Sequence, residues 1–101
     1  MIGPGDLVPR RDTTAELYVA VLSGEAHIHA QTGRVITCPF IPGNLSDGAM
    51  ALVVAVDQPG GVLLPELVQW LPASALDEPI GNIGMESLRE ATTIIASLLG
   101  L

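Results

Sequence analysis

The chain has 101 residues, with eleven acidic and four basic side chains and a formal net charge of −7. This length fits one domain, expected to span residues 1–101, and excludes a second. The acidic balance argues against broad nucleic-acid binding, because cation–phosphate contacts supply most non-specific affinity. It is compatible with a local cationic site, since a cleft concentrates its own field. Hydrophobic residues make up 49% and aromatics 3%, so the core must be aliphatic.

The sequence indicates a cytoplasmic protein without membrane association. The apolar stretches at residues 49–56 and 94–101 are too short to span a bilayer. The first residues lack the basic-then-apolar pattern of a signal peptide. The single cysteine, Cys38, excludes an internal disulfide and is expected to be a small buried residue in a strand.

Short β-forming segments punctuated by Pro and Gly predict a series of strands. In chain order the expected strands are residues 6–8, 17–23, 34–40, 49–57, 62–64 and 67–71. Polar connections are expected at residues 10–16, 24–32 and 42–48, and a turn at residues 58–61.

The C-terminal segment changes to a helical period. One apolar face is formed by Met85, Leu88, Ala91, Ile95, Leu98 and Leu99. Gly84 is the expected N-cap, and Glu86 lies in the first turn, where the helix dipole favours an anion. Short strands followed by one helix predict a mainly β (β+α) fold, in which a small barrel or twisted sheet carries a packed C-terminal α-helix.

Five segments, taken in order, resemble the MazF/PemK family of toxins. They are residues 4–7 (PGDL), 18–23 (YVAVLS), 34–40 (RVITCPF), 61–68 (GVLLPELV) and 80–83 (IGNI). The resemblance implies an SH3-like small barrel of about five to seven strands with a C-terminal helix. It also implies a homodimeric toxin of a toxin–antitoxin pair that cleaves single-stranded regions or loops of messenger or transfer RNA. Such an endoribonuclease is sequence-selective, needs no metal or cofactor, and is neutralised by a MazE-like antitoxin.

Two positions depart from the family pattern. Relatives usually carry an arginine just before the second-strand proline and a threonine or serine two residues after the third-strand proline. Here those places hold Leu17 and Ile41, and the long basic first loop is reduced to residues 9–16. An inactive barrel that only binds proteins is therefore one alternative. A gyrase-targeting toxin of the CcdB type is another alternative. The end of the helix, residues 96–101, argues against it, because it carries no charged side chain.

Metal-free RNA cleavage needs a base, an acid and positive charge near the developing phosphorane. Arg10 and Arg11 are the candidates for the charge, since a guanidinium binds phosphate in bidentate fashion; the alternative is a solvated loop pair. Asp12 and Glu16 flank them, as a base or as groups that orient the arginines. His27 is a candidate catalytic group because histidine is the side-chain type that changes charge near neutral pH; the alternative is a plain role as polar surface.

Four further residues are candidates for RNA contacts. Thr13 and Thr14 offer hydroxyls to phosphate oxygens or simply cap the loop. Arg34, at the start of the third strand, binds phosphate or forms an edge ion pair. His29 forms a His-x-His pair with His27, but no cysteine or acidic cluster accompanies them, so no metal site is predicted.

The sequence leaves the roles of two aromatic residues open. Tyr18 and Trp70 are able to stack on bases. For Trp70, inside an apolar segment, burial in the core or at a dimer interface is the favoured alternative.

We predict that cleavage survives chelation and leaves a 5′-hydroxyl, because the sequence carries no convincing metal-binding constellation. The measurement is cleavage of a labelled RNA in excess EDTA, followed by analysis of the product ends. Loss of activity in EDTA that Mg²⁺ or Mn²⁺ restores would overturn this mechanism.

Overall fold

A computed structural model of the chain describes residues 1–43 and 52–101. Within these residues the strands are β1 Asp6–Pro9, β2 Tyr18–Val21, β3 Arg34–Pro42, β4 Val54–Val56, β5 Gly61–Leu63, β6 Gln69–Pro72 and β7 Gly81–Asn82. The α-helices are α1 Glu25–His29 and α2 Met85–Leu98, and 3₁₀ turns occupy Pro65–Leu67 and Ala73–Ala75. The predicted mainly β fold with a C-terminal helix is confirmed.

The described strands form one antiparallel sheet in the order β4-β5-β3-β2-β1-β7. β3 is the centre of the sheet, with nine residues. Its first half, from Arg34 to Thr37, pairs with β6, and its last three residues pair with β5. Because β2 takes the other edge of β3, the long strand serves both parts of the sheet, which curls into a half-barrel.

The sheet buries aliphatic side chains on both faces, since successive residues of a strand point to opposite sides. One cluster lies beneath α2 and includes Leu7, Ala20, Cys38, Phe40, Leu63 and Ala91. The second cluster consists of Val8, Val19, Val21, Val35, Leu71 and Leu76. Cys38 is fully buried, as predicted, and burial raises the pKa of its thiol to about 12.

The predicted terminal helix is also confirmed. α2 follows Gly84, whose φ of 86° lies in the region that favours glycine. Ala91 is fully buried, and Leu88 and Ile94 pack against the first cluster. The end of the helix is exposed, with Leu99 at 69%. No helix among the described residues is long and apolar enough to cross a membrane.

Some element predictions were wrong. Residues 24–32 are not merely a polar connection, because α1 lies within them; Glu25 stands in its first turn and Ile28 packs against the second cluster. Residues 67–71 do not begin as a strand, since Pro65 starts a 3₁₀ turn that ends at Leu67. β7 was not predicted, and at two residues it has no periodicity to detect.

The predicted strand at residues 49–57 is confirmed only for Val54–Val56. Residues 52 and 53 are not in a strand. The predictions for residues 44–51 lie outside the described residues. Pro42, placed in the following connection by the sequence, still belongs to β3.

Gly61 allows β5 to approach β3 closely. A Cβ at this position would overlap the ring of Phe40 and lie 2.6 Å from the carbonyl oxygen of Ile41. We expect Gly61→Ala to lower the free energy of unfolding by about 1–3 kcal/mol, because the strands must separate to accept the methyl group. Urea denaturation measures this.

The matched control is Gly24→Ala. Gly24 has φ −75° and nothing within 4 Å of the added Cβ. The free energy of unfolding of this variant should stay near that of wild type. Equal stability of both variants would contradict this account of the β3–β5 contact.

Candidate functional site

A groove of about 450 Å³ opens where β1 and β3 end and β2 begins. Residues of β2 and β3 form most of its wall. The polar residues that line it are Arg10, Glu16, Tyr18 and Gln69. Sequence reasoning did not select Gln69. The only available signal was its register opposite Thr37 across the β3–β6 pairing, which needs the fold.

The two positions that depart from the MazF/PemK pattern face each other in this groove. Tyr18 pairs with Phe40 across β2 and β3, so the next pair along the same register is Leu17 and Ile41. Both line the groove, and their exposed fractions are 44% and 38%. The place where the resemblance implies an arginine and a hydroxyl is thus an apolar pair.

Arg10 lies on the strand next to this pair. Its backbone N–H donates to the carbonyl oxygen of Leu17 at 2.9 Å, which continues the β1–β2 register by one residue. Directly opposite residues of an antiparallel pair project from the same face of the sheet. Arg10, Leu17 and Ile41 therefore form one cross-strand row, and Arg10 supplies the groove's cationic side chain among the described residues.

The Arg10 guanidinium is held by Asp12 in a two-point contact. Nε donates to Oδ1 at 3.0 Å and Nη2 donates to Oδ2 at 2.8 Å. The Arg10 side chain is 17% exposed, and that of Asp12 is 36% exposed. These hydrogen bonds raise the pKa of Arg10 and lower the pKa of Asp12. The pair is therefore ionised at neutral pH, and Asp12 fixes the direction in which the cation points.

A second polar pair borders the groove from the opposite face of the sheet, because Tyr18 alternates with Leu17 along the chain. The phenol of Tyr18 donates to Oε1 of Glu16 at 2.6 Å. The hydrogen bond and the charge of Glu16 raise the pKa of Tyr18, so the phenol keeps its proton at neutral pH. The Tyr18 ring packs partly against the first hydrophobic cluster. This contact anchors the pair to the sheet.

Arg11 points away from the groove although it follows Arg10 directly. Its Nε donates to the carbonyl oxygen of Ser74 at 2.9 Å. It lines a separate, smaller cavity beside Asp77 and Glu78. The two adjacent arginines are therefore not brought together on one site.

The remaining loop candidates, Thr13 and Thr14, are both exposed. The hydroxyl of Thr13 donates to the carbonyl oxygen of Ala15 at 2.8 Å, which is a loop-capping contact. Contacts of either threonine with RNA remain predictions.

His27 belongs to a different cluster, on α1. Its Nδ1 lies 2.7 Å from Oγ of Ser23, a buried hydroxyl that also accepts the backbone N–H of Ile36. Its Nε2 lies 3.3 Å from Oγ1 of Thr32. Among the described residues, the cavity beside His27 shares no lining residue with the groove. The structure does not bring His27 to Arg10.

His29 and Arg34 also lie away from the groove. His29 Nε2 is 3.8 Å from Oε2 of Glu25, one turn earlier on α1. Arg34 and Ile41 are near opposite ends of β3, so about 23 Å of extended strand separates them. In residues 1–43 and 52–101, no three His, Cys, Asp or Glu side chains converge as a metal site would require.

Trp70 is not a core residue. Its exposed fraction is 59%, and its ring centroid lies 5.5 Å from that of His27 in an edge-to-face arrangement. In β6 it pairs with Ile36, whereas its neighbour Leu71 faces the second cluster. The strand alternation therefore places Trp70 outside the core. Base stacking and a dimer interface remain predictions for it.

The fold is that of MazF. The chain superimposes on MazF in the MazE–MazF complex of Deinococcus radiodurans with a TM-score of 0.81 and 23% identity, covering 99% of this chain and 96% of that one. An endoribonuclease in complex with its cognate antitoxin, from a mycobacterial species, superimposes with a TM-score of 0.80 and 16% identity. The match covers 100% of this chain and 97% of that one. The toxin MazF-mt6 of Mycobacterium tuberculosis superimposes with a TM-score of 0.70 and 17% identity, covering 94% of this chain and 97% of that one.

Sequence similarity defines the family more closely. The pattern of the type II toxin–antitoxin system toxin Rv0299 matches residues 5–98. Toxin Rv0299 of Mycobacterium tuberculosis is 61% identical over 99 residues, which cover 98% of this chain and 99% of that protein. This chain belongs to the Rv0299 family of type II toxin–antitoxin toxins. The predicted resemblance to MazF-type toxins is confirmed.

Proposed function

We propose that this toxin is a sequence-selective, metal-independent endoribonuclease that cleaves single-stranded regions or loops of messenger or transfer RNA and so inhibits translation and growth. Two of the proteins that share its fold are described as endoribonucleases. The observation that carries the proposal is the position of Arg10. This guanidinium lies in the groove, one strand away from the place where the resemblance implies a catalytic arginine.

In the proposed reaction the 2′-hydroxyl of the RNA loses its proton and its oxygen attacks the adjacent phosphorus, which forms a 2′,3′-cyclic phosphate. The 5′-oxygen of the next nucleotide leaves and takes up a proton to become a 5′-hydroxyl. Arg10 stabilises the negative charge that builds on the phosphate oxygens. Asp12 occupies two of its N–H groups, which leaves the remaining donors to the phosphate. A lowered pKa makes Asp12 a weak base, so we assign it the orientation of Arg10.

We further propose that the toxin acts in the cytoplasm as a homodimer and is neutralised by a MazE-like antitoxin. MazF of Deinococcus radiodurans is found with MazE, and the mycobacterial endoribonuclease with its cognate antitoxin. Apolar side chains that the single chain leaves exposed, such as Leu98 and Leu99 at the end of α2, supply surface for self-association.

The direct test incubates the purified toxin with total RNA and maps the new 5′ ends by primer extension. Discrete cuts that share a short sequence and carry a 5′-hydroxyl are expected. Intact RNA after prolonged incubation with folded toxin would contradict the proposal. That result would favour a barrel that only binds proteins, in line with the apolar pair Leu17 and Ile41.

Removal of the groove cation should abolish most of the activity. We expect Arg10→Ala to lower the cleavage rate by about 10²–10³-fold, the usual cost of losing one charge-stabilising donor. Arg11→Ala should cost less, because Arg11 binds Ser74 outside the groove. Rates are measured on a short RNA that contains one mapped site.

The matched control is Arg89→Ala. Arg89 lies on α2 and is exposed, so its loss changes the net charge equally but leaves the groove intact. The Arg89→Ala variant should cleave RNA at nearly the wild-type rate. Full activity in a folded Arg10→Ala variant would refute this placement of the site.

A further inference from the structure

The groove has an apolar floor, formed by Leu17, Pro39 and Ile41. Pro39 and Ile41 are two residues apart on β3, so they project from the same face of the sheet. Leu17 lies opposite Ile41 in the β2–β3 register and shares that face. The floor therefore extends the row that begins with Arg10. Water covers the exposed side chains of Leu17 and Ile41 in the free protein, so burying them under a ligand is favourable.

Gln69 projects from the same face as this floor. It lies directly opposite Thr37 in the β3–β6 register, and opposite residues share a face. Thr37 is two residues before Pro39 on β3, which puts both on one side of the sheet. The neighbours agree, because Leu71, two residues after Gln69, packs in the second cluster with Val19. Gln69 thus stands beside the floor and lines the groove.

The carboxamide of Gln69 is available to a ligand. The hydroxyl of Thr37 donates to the backbone carbonyl oxygen of Gln69 at 3.1 Å, which fixes the backbone from which the side chain projects. Within residues 1–43 and 52–101 the carboxamide itself has no hydrogen-bond partner, and no buried side-chain nitrogen or oxygen is left unpaired. The amide atoms of Gln69 are therefore accessible. They offer two N–H donors next to an acceptor oxygen.

Adenine is the base that fits an apolar floor with a carboxamide beside it. It carries no carbonyl oxygen, so it loses the least hydration when an apolar surface covers it. It also places a donor next to an acceptor on two edges, N6–H with N1 and N6–H with N7, and a glutamine amide matches such a pair in bidentate fashion. Guanine, cytosine and uracil carry carbonyl oxygens and offer such a pair only on the Watson–Crick edge.

We infer that Gln69 is a specificity-determining residue that binds an adenine of the cleaved RNA, and that this base packs on Leu17 and Ile41 while the phosphate beside it binds Arg10. The inference rests on the proposed endoribonuclease activity. Arg10, Leu17 and Ile41 lie on three neighbouring strands, about 10 Å across, which is the scale of one nucleotide. The two positions that depart from the MazF/PemK pattern thereby hold the base.

The experiment combines enzyme and substrate changes. Wild-type cut sites are first mapped on a pool of short random RNAs, and an adenine is expected at one fixed position next to the cut. A single-site RNA is then made with purine riboside at this position, which keeps N1 and N7 but lacks the 6-amino group. For wild type, kcat/KM should fall roughly 10-fold on the purine RNA, because one hydrogen bond is lost and the amide oxygen is left unpaired.

Gln69→Leu should lower kcat/KM on the adenine RNA by about 10- to 100-fold and remove the difference between adenine and purine. Gln69→Glu keeps the shape but replaces the amide donor with an acceptor that N1 or N7 repels, so its loss on the adenine RNA should be at least as large. Gln58→Leu is the matched control, since Gln58 is exposed and lines cavities other than the groove. It should keep the full adenine preference.

The outcomes separate the two proposals. Cleavage without an adenine preference, or a preference that survives Gln69→Leu and Gln69→Glu, overturns this inference alone. A loss in Gln69→Leu that is equal on adenine and purine RNAs, with the purine penalty intact, also overturns it and indicates that Gln69 only supports the shape of the groove. No cleavage by the folded wild-type toxin overturns both proposals.

Discussion

The antiparallel register of β1, β2 and β3 determines which side chains meet in the groove. One cross-strand row consists of Val8, Val19 and Pro39. Because side chains repeat every second residue, the next row on the same face consists of Arg10, Leu17 and Ile41. A slip of one residue between β1 and β2 would turn Arg10 to the opposite face. The burial of Val8 and Val19 in the second cluster prevents such a slip, so the core fixes the site.

The groove works against the charge of the molecule. With a net charge of −7, the protein repels phosphate at long range, and a local cation must overcome this. Arg10 is partly buried, where its interaction with an anion is screened less than on the open surface. Asp12 neutralises part of the charge of Arg10 and also orients its guanidinium.

The mainly β fold with a terminal helix was predictable because β-forming segments between Pro and Gly and a period-3.6 tail are local signals, to which the family resemblance added the barrel. The site was harder, since it depends on which distant segments pair. Arg10 and Arg11 are equivalent in the sequence, and only the register and the contact with Ser74 separate them. His27 was placed in a polar connection, but a single turn of helix carries it to Ser23 instead. Gln69 gave no signal at all before β6 was paired with β3.

The claim that the groove needs one cation in this cross-strand row, on either strand, is tested by moving the charge. The cleavage rate of Arg10→Leu is compared with that of Arg10→Leu combined with Leu17→Arg, which returns the arginine to the adjacent strand, about 5 Å away. The account predicts a nearly inactive single variant and recovery of the double variant to within about 10-fold of wild type, since one lost donor costs up to ~10³-fold. A folded double variant as inactive as the single one would contradict it.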